Sequence, residues 1–296
     1  MTQRQQGHVA TEEGSNVRED QLEPRADIFY INLDRVPERR EFIESHFVER
    51  GLGLPTRLSA TDAAEPGALD HTGYVPGTGG RWGLKLSEIA CFESHRRIWE
   101  IAVDRDLKAV AIFEDDLRLS RHAADVIDNL LAGAEDYDLV KIDYCPKINR
   151  FGPEVDINGV VVRPLLTMAS SAGGYILSKN GAERLLARSA QFSDHLDDFI
   201  FTPGSEWRMF QCFPAVAIQF VLQRDAEDIP EVLKTSERTQ ASAINSGLDK
   251  GPLWFRLRRE LLAARRKLEW RLGGEKKLLE QGGFVGHIPC ADDLDV

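Results

Sequence analysis

The 296-residue chain is long enough to bury a sizeable core in one or two domains, and 42% of its residues are hydrophobic. Its formal net charge of −11 at pH 7 argues against a general nucleic-acid binder, so we expect no nucleic-acid partner. The four cysteines are widely spaced and form no CxxC pair, which argues against a zinc site or a disulfide framework and favours reduced cytosolic thiols.

The N-terminal stretch is polar and rich in Gln, Glu and Arg, without the apolar core of a secretion signal. We predict a disordered leader over residues 1–26. No apolar run in the chain approaches the roughly 18 residues that a membrane-spanning helix needs. These features predict a protein that is made and kept in the cytoplasm.

The first predicted strand covers residues 27–32 and leads through a turn into a helix that opens with Pro37 near its first position. The turn and the start of the helix carry the polar residues Asn32, Arg35, Arg39 and Arg40. A helix N-terminus and guanidinium groups favour anions, so this turn could hold a nucleotide. The same residues also fit a solvated basic first turn that binds nothing.

A Gly- and Pro-rich passage over residues 65–83 is long enough to be a functional loop over a site. Ser87 is then predicted to cap a helix over residues 88–103. A core-facing stripe at helical spacing is predicted for Cys91, Ser94, Ile98 and Ile101. His95 lies at the edge of this stripe, where a histidine serves either as a hydrogen-bonded packing residue or as a catalyst.

The segment 108–117 contains a continuous apolar run, which is typical of a strand buried on both faces of a parallel sheet. The run delivers three consecutive carboxylates, Glu114, Asp115 and Asp116, to one point. Ligands of open α/β folds bind beyond the carboxyl ends of the strands, and a divalent cation relieves carboxylate repulsion. The motif predicts a metal that serves a phosphorylated substrate, but acidic residues after a strand are also ordinary loop residues or helix caps.

Three more short strands are predicted at residues 137–143, 160–166 and 173–177, and Ser178 follows the last of them as the N-cap of a helix. Strands that alternate with helices predict a layered α/β domain with a mainly parallel sheet.

Residues 252–273 have the pattern of a basic amphipathic helix on an otherwise acidic protein. Such helices lie in the headgroup region of a membrane, where Lys and Arg contact anionic lipid and Trp, Phe and Leu insert. The pattern predicts peripheral contact with an anionic membrane. A packing or oligomerisation helix with a solvated face has the same pattern.

Five collinear motifs carry a family resemblance. They are INLDR at 31–35 with ERR at 38–40, LSEIAC at 86–91 with SH at 94–95, FEDD at 113–116, GGYILS at 173–178 with GA at 181–182, and HLDD at 195–198. In this order they resemble glycosyltransferase family 25, which groups bacterial lipooligosaccharide galactosyltransferases with collagen galactosyltransferases. The resemblance covers roughly residues 27–221.

The resemblance implies a GT-A-type, Rossmann-like fold: an α/β domain over residues 27–235 with a mixed, mainly parallel sheet flanked by helices. A helical extension and tail would cover residues 236–296. The resemblance also implies a UDP-sugar donor, usually UDP-galactose, that is bound through Mn²⁺ or Mg²⁺.

The same resemblance assigns roles at the donor site. Glu114 and Asp116 are the best candidates for the metal side of the acidic cluster, and Asp115 is either a third metal ligand or a contact to the ribose. The nucleotide would contact the turn over residues 31–40. Its nucleotide-binding candidates are Asn32, Leu33, Arg35, Arg39, Arg40 and Asp115.

Members of this family are expected to invert the anomeric centre, which requires a general base on the acceptor hydroxyl. Asp197 is the first candidate because it matches the family's Pro-Val-Asp segment, and Asp198 and His95 are the fallbacks. The chain departs from the family pattern at residues 92–93 and 195–196, near the predicted acceptor side, which leaves the acceptor open.

The sequence therefore predicts a metal-dependent inverting transferase that moves a hexose from a UDP-sugar to a saccharide or glycolipid acceptor. Galactose is the expected hexose. The acceptor would belong to lipopolysaccharide or a related surface glycan, and the enzyme would be cytoplasmic and peripheral on the inner face of the membrane. One alternative is a catalytically inactive relative that binds a partner. The intact acidic cluster argues against this alternative. Another is a phosphoacceptor receiver, but receivers are much shorter and carry their acidic cluster after the first strand.

Overall fold

The computed structural model describes residues 23–223 and 249–294 of the chain. Most of the predicted leader lies outside the described residues, and the predicted domain boundary between residues 235 and 236 lies wholly outside them. The first strand already begins at Arg25, within the last two residues of the predicted leader.

The strands of the described part are β1 (Arg25–Asn32), β2 (Pro55–Ser59), β3 (Ala109–Glu114), β4 (Leu117–Leu119), β5 (Leu139–Lys141), β6 (Asn149–Phe151), β7 (Val155–Ile157), β8 (Val160–Pro164), β9 (Gly174–Ser178), β10 (Met209–Cys212), β11 (Ala217–Gln219) and β12 (Phe284–Gly286). Its helices are α1 (Pro37–Glu49), α2 (Leu86–Asp104), α3 (Ala123–Ala132), α4 (Lys179–Arg188), α5 (Leu196–Ile200), α6 (Leu253–Glu269) and α7 (Glu275–Glu280). Short helical turns follow at Phe220–Leu222 and Trp270–Gly274.

Eight strands form one mixed sheet in the order β2-β1-β3-β9-β5-β10-β8-β7. β1 pairs in parallel with β2 and β3, and β5 pairs in parallel with β10. β9 is antiparallel to both of its neighbours, and the β10–β8 and β8–β7 pairs are also antiparallel. The predicted α/β class, with a mixed sheet flanked by helices, is confirmed.

Helices cover both faces of the sheet, so the residues of its central strands alternate between two cores. In β3, Val110 and Ile112 share a core with residues of α2 and α4, whereas Ala111 and Phe113 share the other core with residues of α1 and α3. All four side chains are fully buried. A strand buried on both faces needs apolar residues at every position, which explains the uninterrupted apolar run.

Local signals set where several helices begin. Pro37 occupies the first turn of α1 as predicted, and Ser178 caps α4, accepting a backbone N–H hydrogen bond at 3.1 Å. The prediction that Ser87 caps α2 is wrong. The Glu88 side chain accepts the Lys85 N–H at 2.9 Å, so the cap residue is Lys85 and the helix begins one residue before Ser87.

The last described residues fold back onto the domain. β12 pairs with β6, and the backbones of Cys290 and Ala215 form an isolated β-bridge. The Asp293 carboxylate accepts hydrogen bonds from Ser120 Oγ at 2.5 Å and Arg121 N–H at 2.7 Å. Three apolar side chains of this segment are buried in the core: Ile288, Ala291 and Leu294. The tail is therefore part of the packed domain.

The predicted basic helix at residues 252–273 is present as α6 and the turn that follows it. Within residues 23–223 and 249–294, no helix combines the length and the apolar character that crossing a bilayer requires.

His46 on α1 is a buried histidine whose ring nitrogen Nε2 accepts the Leu119 N–H at 2.8 Å. Burial lowers its pKa from 6.5 to about 4, and the charges of Arg50 and Arg118 act in the same direction. The folded protein therefore keeps this ring neutral where the unfolded chain would protonate it.

We expect the free energy of unfolding to fall as the pH is lowered from 6.5 towards 4. Over this window the unfolded state binds a proton at His46 and the folded state does not, which favours unfolding by up to roughly 3 kcal/mol. The variant His46→Gln keeps an acceptor but cannot titrate, so it should lose less stability than the wild type between pH 7 and pH 4.5 in urea titrations. Equal losses in the two proteins would contradict the assignment.

Candidate active site

Polar residues collect at one edge of the sheet because of the strand directions. The parallel strands β1 and β3 end there at Asn32 and Glu114. β3 and β5 are both antiparallel to β9 and so run in the same direction. The end of β5 therefore brings Asp143 to the same edge. Ser171 lies in the segment that enters β9. Ligand sites of α/β folds lie at such an edge, so this region is the candidate active site.

Asp115 faces the turn between β1 and α1. Its Oδ2 accepts a hydrogen bond from Asn32 Nδ2 at 2.7 Å, and its Oδ1 forms an ion pair with Arg39 Nη1 at 2.9 Å. Asn32 also donates to the Val36 carbonyl at 3.1 Å, which holds the turn against the acidic cluster. The structure therefore brings together three of the residues predicted to contact the nucleotide.

The other predicted residues of this turn contact groups outside the acidic cluster. The Leu33 carbonyl accepts the Val36 N–H at 3.1 Å, and Arg35 forms an exposed ion pair with Asp62 at 2.7 Å. Arg40 pairs at 3.1 Å with Glu44, one turn along its own helix. Leu33 thus closes the turn through its backbone, and Arg35 and Arg40 form ion pairs with carboxylates outside the acidic cluster.

Glu114 and Asp116 converge on the side-chain amide of Gln219. Gln219 Nε2 lies 2.8 Å from Glu114 Oε2 and 3.3 Å from Asp116 Oδ1. Gln219 ends β11, which pairs with β4 directly after the acidic cluster. The two carboxylates therefore share one donor, on a different side of the cluster from Arg39.

The second oxygen of Glu114 faces helix α2. Cys91 Sγ lies 4.0 Å and His95 Nε2 lies 3.9 Å from Glu114 Oε1, and the three groups are close enough to share a cation. His95 is only 1% exposed, so it lies behind Glu114 and not at the surface.

His95 Nδ1 belongs to a chain of hydrogen bonds with Tyr175 and Trp99. Trp99 Nε1 donates to the Tyr175 hydroxyl at 3.0 Å, and this hydroxyl lies 3.0 Å from His95 Nδ1. Burial raises the pKa of Tyr175, so this hydroxyl keeps its proton. The other ring nitrogen of His95, Nε2, faces Glu114.

A buried ion pair lies beneath the site. Lys141 Nζ contacts Asp143 Oδ1, and both side chains are fully buried. Burial raises the pKa of the Asp143 carboxyl, whereas the Lys141 ammonium acts in the opposite direction. Lys141 also donates to the Ser171 carbonyl at 2.8 Å, so the pair is tied to the segment that enters β9.

Ser171 connects this ion pair to both sides of the site. Its Oγ lies 2.5 Å from Asp143 Oδ2 and 3.0 Å from Gln219 Oε1, and its N–H donates to Asp197 Oδ2 at 3.0 Å. The Gln219 oxygen faces Ser171, and its NH₂ group faces Glu114 and Asp116, whose carboxylates can only accept hydrogen bonds. Ser171 has a φ of +70°, a left-handed conformation that side chains rarely adopt, which indicates that these contacts hold it in place.

Asp197 lies at the start of α5, next to His195. The His195 side chain caps this helix, and its Nδ1 lies 3.7 Å from Asp197 Oδ2. Asp197 Oδ1 is buried and accepts no hydrogen bond from the described residues. An unsatisfied buried carboxylate oxygen is costly, so it needs a donor from a ligand or water.

The loop predicted over residues 65–83 packs on the segment before α5. Gly79 N–H donates to Ser193 Oγ, which in turn donates to the Arg81 carbonyl, each at 2.7 Å. Arg81 also forms an ion pair with Asp198 at 2.7 Å. Asp198 is therefore paired with the loop, whereas Asp197 faces the network inside the domain.

The two departures from the family pattern also lie here. The Phe92 ring stacks on Phe192 with 3.7 Å between centroids, and burial raises the pKa of the Glu93 carboxyl beside it. The second departure contains His195. Both changes border the segment that carries Asp197 and Asp198.

Sequence reasoning missed several residues of this site. Asp143 is the last residue of the strand predicted over residues 137–143, but no pattern indicated Lys141 as its partner. Ser171 and Gln219 carry no motif, and only the pairing of β11 with β4 and the entry into β9 bring them to the site. No signal in a single sequence could have identified them.

A family model described as glycosyltransferase family 25 (LPS biosynthesis protein) matches residues 26–200, which is more than half of the chain. Procollagen galactosyltransferase 1-A of Xenopus laevis is 29% identical over 171 residues, which cover 54% of this chain and 28% of that protein. A putative glycosyltransferase of Haemophilus influenzae is 23% identical over 207 residues, which cover 67% of this chain and 72% of that protein.

A third relative, the inactive glycosyltransferase 25 family member 3 of Mus musculus, is 30% identical over 175 residues, which cover 54% of this chain and 28% of that protein. The chain spans little more than a quarter of the length of the animal relatives that it matches.

We expect Lys141→Met to lower the free energy of unfolding by about 3–5 kcal/mol, because it leaves the Asp143 carboxylate buried without its counter-charge. Asp143→Asn should lower the free energy of unfolding by a similar amount, because it leaves the Lys141 ammonium buried without its counter-charge. The double variant removes both charges and should cost clearly less than the sum of the two single changes. The measurement is a double-mutant cycle by urea unfolding, and additive losses would show that the two groups are not coupled.

Proposed function

The chain belongs to glycosyltransferase family 25, and we propose that it is a metal-dependent inverting glycosyltransferase that moves galactose from a UDP-sugar to a saccharide acceptor. The name of the Xenopus laevis relative, a procollagen galactosyltransferase, supports the choice of galactose. The description of the family model supports an acceptor in lipopolysaccharide or a related surface glycan. We place the reaction in the cytoplasm.

The convergence of Glu114 and Asp116 on the Gln219 amide carries this proposal. Two carboxylates that accept from one nitrogen can also share one cation, and hard oxygen ligands suit Mn²⁺ or Mg²⁺. Asp115 is bonded to Asn32 and paired with the Arg39 guanidinium, both residues of the nucleotide turn, so we assign it to the nucleotide and assign the metal to Glu114 and Asp116. The donor set therefore fits the implied cation through Glu114 and Asp116.

Different groups around the acidic cluster bind different parts of the donor. Glu114 and Asp116 would hold a divalent cation, which would supply positive charge against the leaving diphosphate. Asn32, Arg39 and the N-terminus of α1 contact the nucleotide end, where the helix N-terminus and the guanidinium favour negative charge. Asp115, held between them, contacts the ribose hydroxyls.

Asp197 is the proposed general base. It accepts the proton of the acceptor hydroxyl as this oxygen attacks the anomeric carbon from the side opposite the nucleotide. The Ser171 N–H fixes Oδ2, which leaves Oδ1 for the acceptor. Asp198 is less suited because it is paired with Arg81, and His95 is less suited because its Nδ1 is bonded to Tyr175 and its Nε2 faces Glu114.

The alternative is a catalytically inactive member that keeps the fold as a binding protein. The Mus musculus relative, whose name says that it is inactive, is the observation that favours it. The Glu114, Asp115 and Asp116 cluster, with its partners in place, argues against it here.

We expect purified protein to bind UDP and UDP-galactose in a manganese-dependent manner. Asp116→Asn should weaken this binding at least about tenfold, because it removes one of the two charges that hold the cation. The measurement is isothermal titration with UDP, UDP-galactose, UDP-glucose and UDP-N-acetylglucosamine, with and without Mn²⁺. UDP-galactose should bind most tightly among the three sugars.

The matched control is Asp104→Asn, which removes an exposed carboxylate at the end of α2 and should leave binding unchanged. If folded wild-type protein binds no UDP species under any condition, the UDP-sugar reading is wrong and the inactive alternative stands.

We expect Asp197→Asn to lower the rate of UDP release from UDP-galactose about 10²-fold or more, since the amide cannot accept the proton. Affinity for UDP should stay within about twofold of the wild type, because Asp197 is placed on the acceptor side. The rate is measured with water and with a panel of mono- and disaccharides as acceptors. A larger loss in Asp198→Asn than in Asp197→Asn would move the role of base to Asp198.

A further inference from the structure

Helix α6 exposes an apolar stripe that no described residue covers. Four leucines are 55–72% exposed: Leu253, Leu257, Leu261 and Leu268. At 100° per residue they fall within an arc of about 80° on one side of the helix. Trp254, 59% exposed, lies at the edge of this arc. The set of four is called the leucine stripe.

The leucine stripe faces away from the domain because α6 is held on its opposite side. Phe255 is the buried side chain of its first turns, and its ring packs edge-on against Trp82 at 5.4 Å between centroids. Beyond the end of the helix, the Arg150 guanidinium lies 4.9 Å from the Trp270 ring and pairs with Glu275 at 2.8 Å. The helix is thus fixed at both ends with its apolar side outward.

Arginines border the leucine stripe. By the same geometry Arg258 and Arg265 lie along one side of it and Arg256 along the other, and all three are exposed. Over residues 253–272 the sequence has seven basic and two acidic residues, whereas the whole chain has a net charge of −11. Positive charge is therefore concentrated around the exposed leucines.

We propose that α6 is a docking surface for an anionic phospholipid membrane, on which the helix lies flat. Leucines and a tryptophan would insert between the headgroups while the flanking arginines contact lipid phosphates. A 17-residue helix is about 25 Å long, which provides one continuous contact line in the membrane plane. This surface is independent of the donor chemistry.

Charge favours this occupant over a second copy of the chain. Two α6 helices packed through their leucine stripes would bring arginine against arginine, which is unfavourable. A membrane with anionic headgroups complements both the apolar centre and the basic margins.

The test is co-sedimentation of the full chain with phosphatidylcholine vesicles that contain or lack phosphatidylglycerol. Binding to the anionic vesicles should be at least about tenfold stronger and should weaken at high salt, where charges are screened. The combined variant Leu257→Gln, Leu261→Gln and Leu268→Gln should lose this binding, and so should Arg256→Gln with Arg258→Gln and Arg265→Gln.

The matched control is Leu86→Gln with Leu279→Gln, which changes two exposed leucines outside α6 and should bind like the wild type. Circular dichroism of each variant checks that it is folded. Equal binding to both kinds of vesicle, no binding by wild type, or unchanged binding by the leucine variant would overturn the proposal. A dimer that the leucine variant dissociates, without vesicle binding, would assign the surface to a second copy.

Because no donor sugar enters the vesicle assay, its failure is distinguishable from failure of the UDP titration.

Discussion

Carboxylates that crowd at one sheet edge repel one another, and each must be compensated in a different way. Asp115 is compensated by Arg39, and Asp143 by Lys141 beneath the edge. Glu114 and Asp116 share the neutral amide of Gln219, which satisfies hydrogen bonds without cancelling charge. Negative charge is thereby concentrated on Glu114 and Asp116, whereas Asp115 and Asp143 are each paired with a cation.

Predictions that depended on neighbouring residues succeeded more often than those that depended on distant ones. The apolar run before Glu114 and the Ser178 cap involve only local geometry, and both match the structure. The start of α2 was misplaced because its cap residue is Lys85, which is not a typical N-cap residue, and Glu88 bonds the Lys85 N–H. Arg40 was grouped with Arg39, but successive residues on a helix point about 100° apart.

The acidic motif predicted where the site lies, but not how its side chains are oriented. Gln219 lies beyond the part of the chain that the family model matches, and it reaches the site only because β11 pairs with β4. Its amide nitrogen faces the carboxylates of Glu114 and Asp116, which can only accept hydrogen bonds, and its oxygen faces Ser171, which has an unusual backbone conformation. Such an arrangement needs three segments that are far apart in the sequence, and no single motif encodes it.

The return of the tail to the domain affects the order of events during synthesis. Ser120 and Asp293 are 173 residues apart in the chain, yet their side chains share a hydrogen bond. At 5–20 residues per second a ribosome needs roughly 10–35 s to make the intervening chain. The segment around Ser120 therefore waits that long for its partner, and the nascent domain must stay soluble with this part of its surface uncovered.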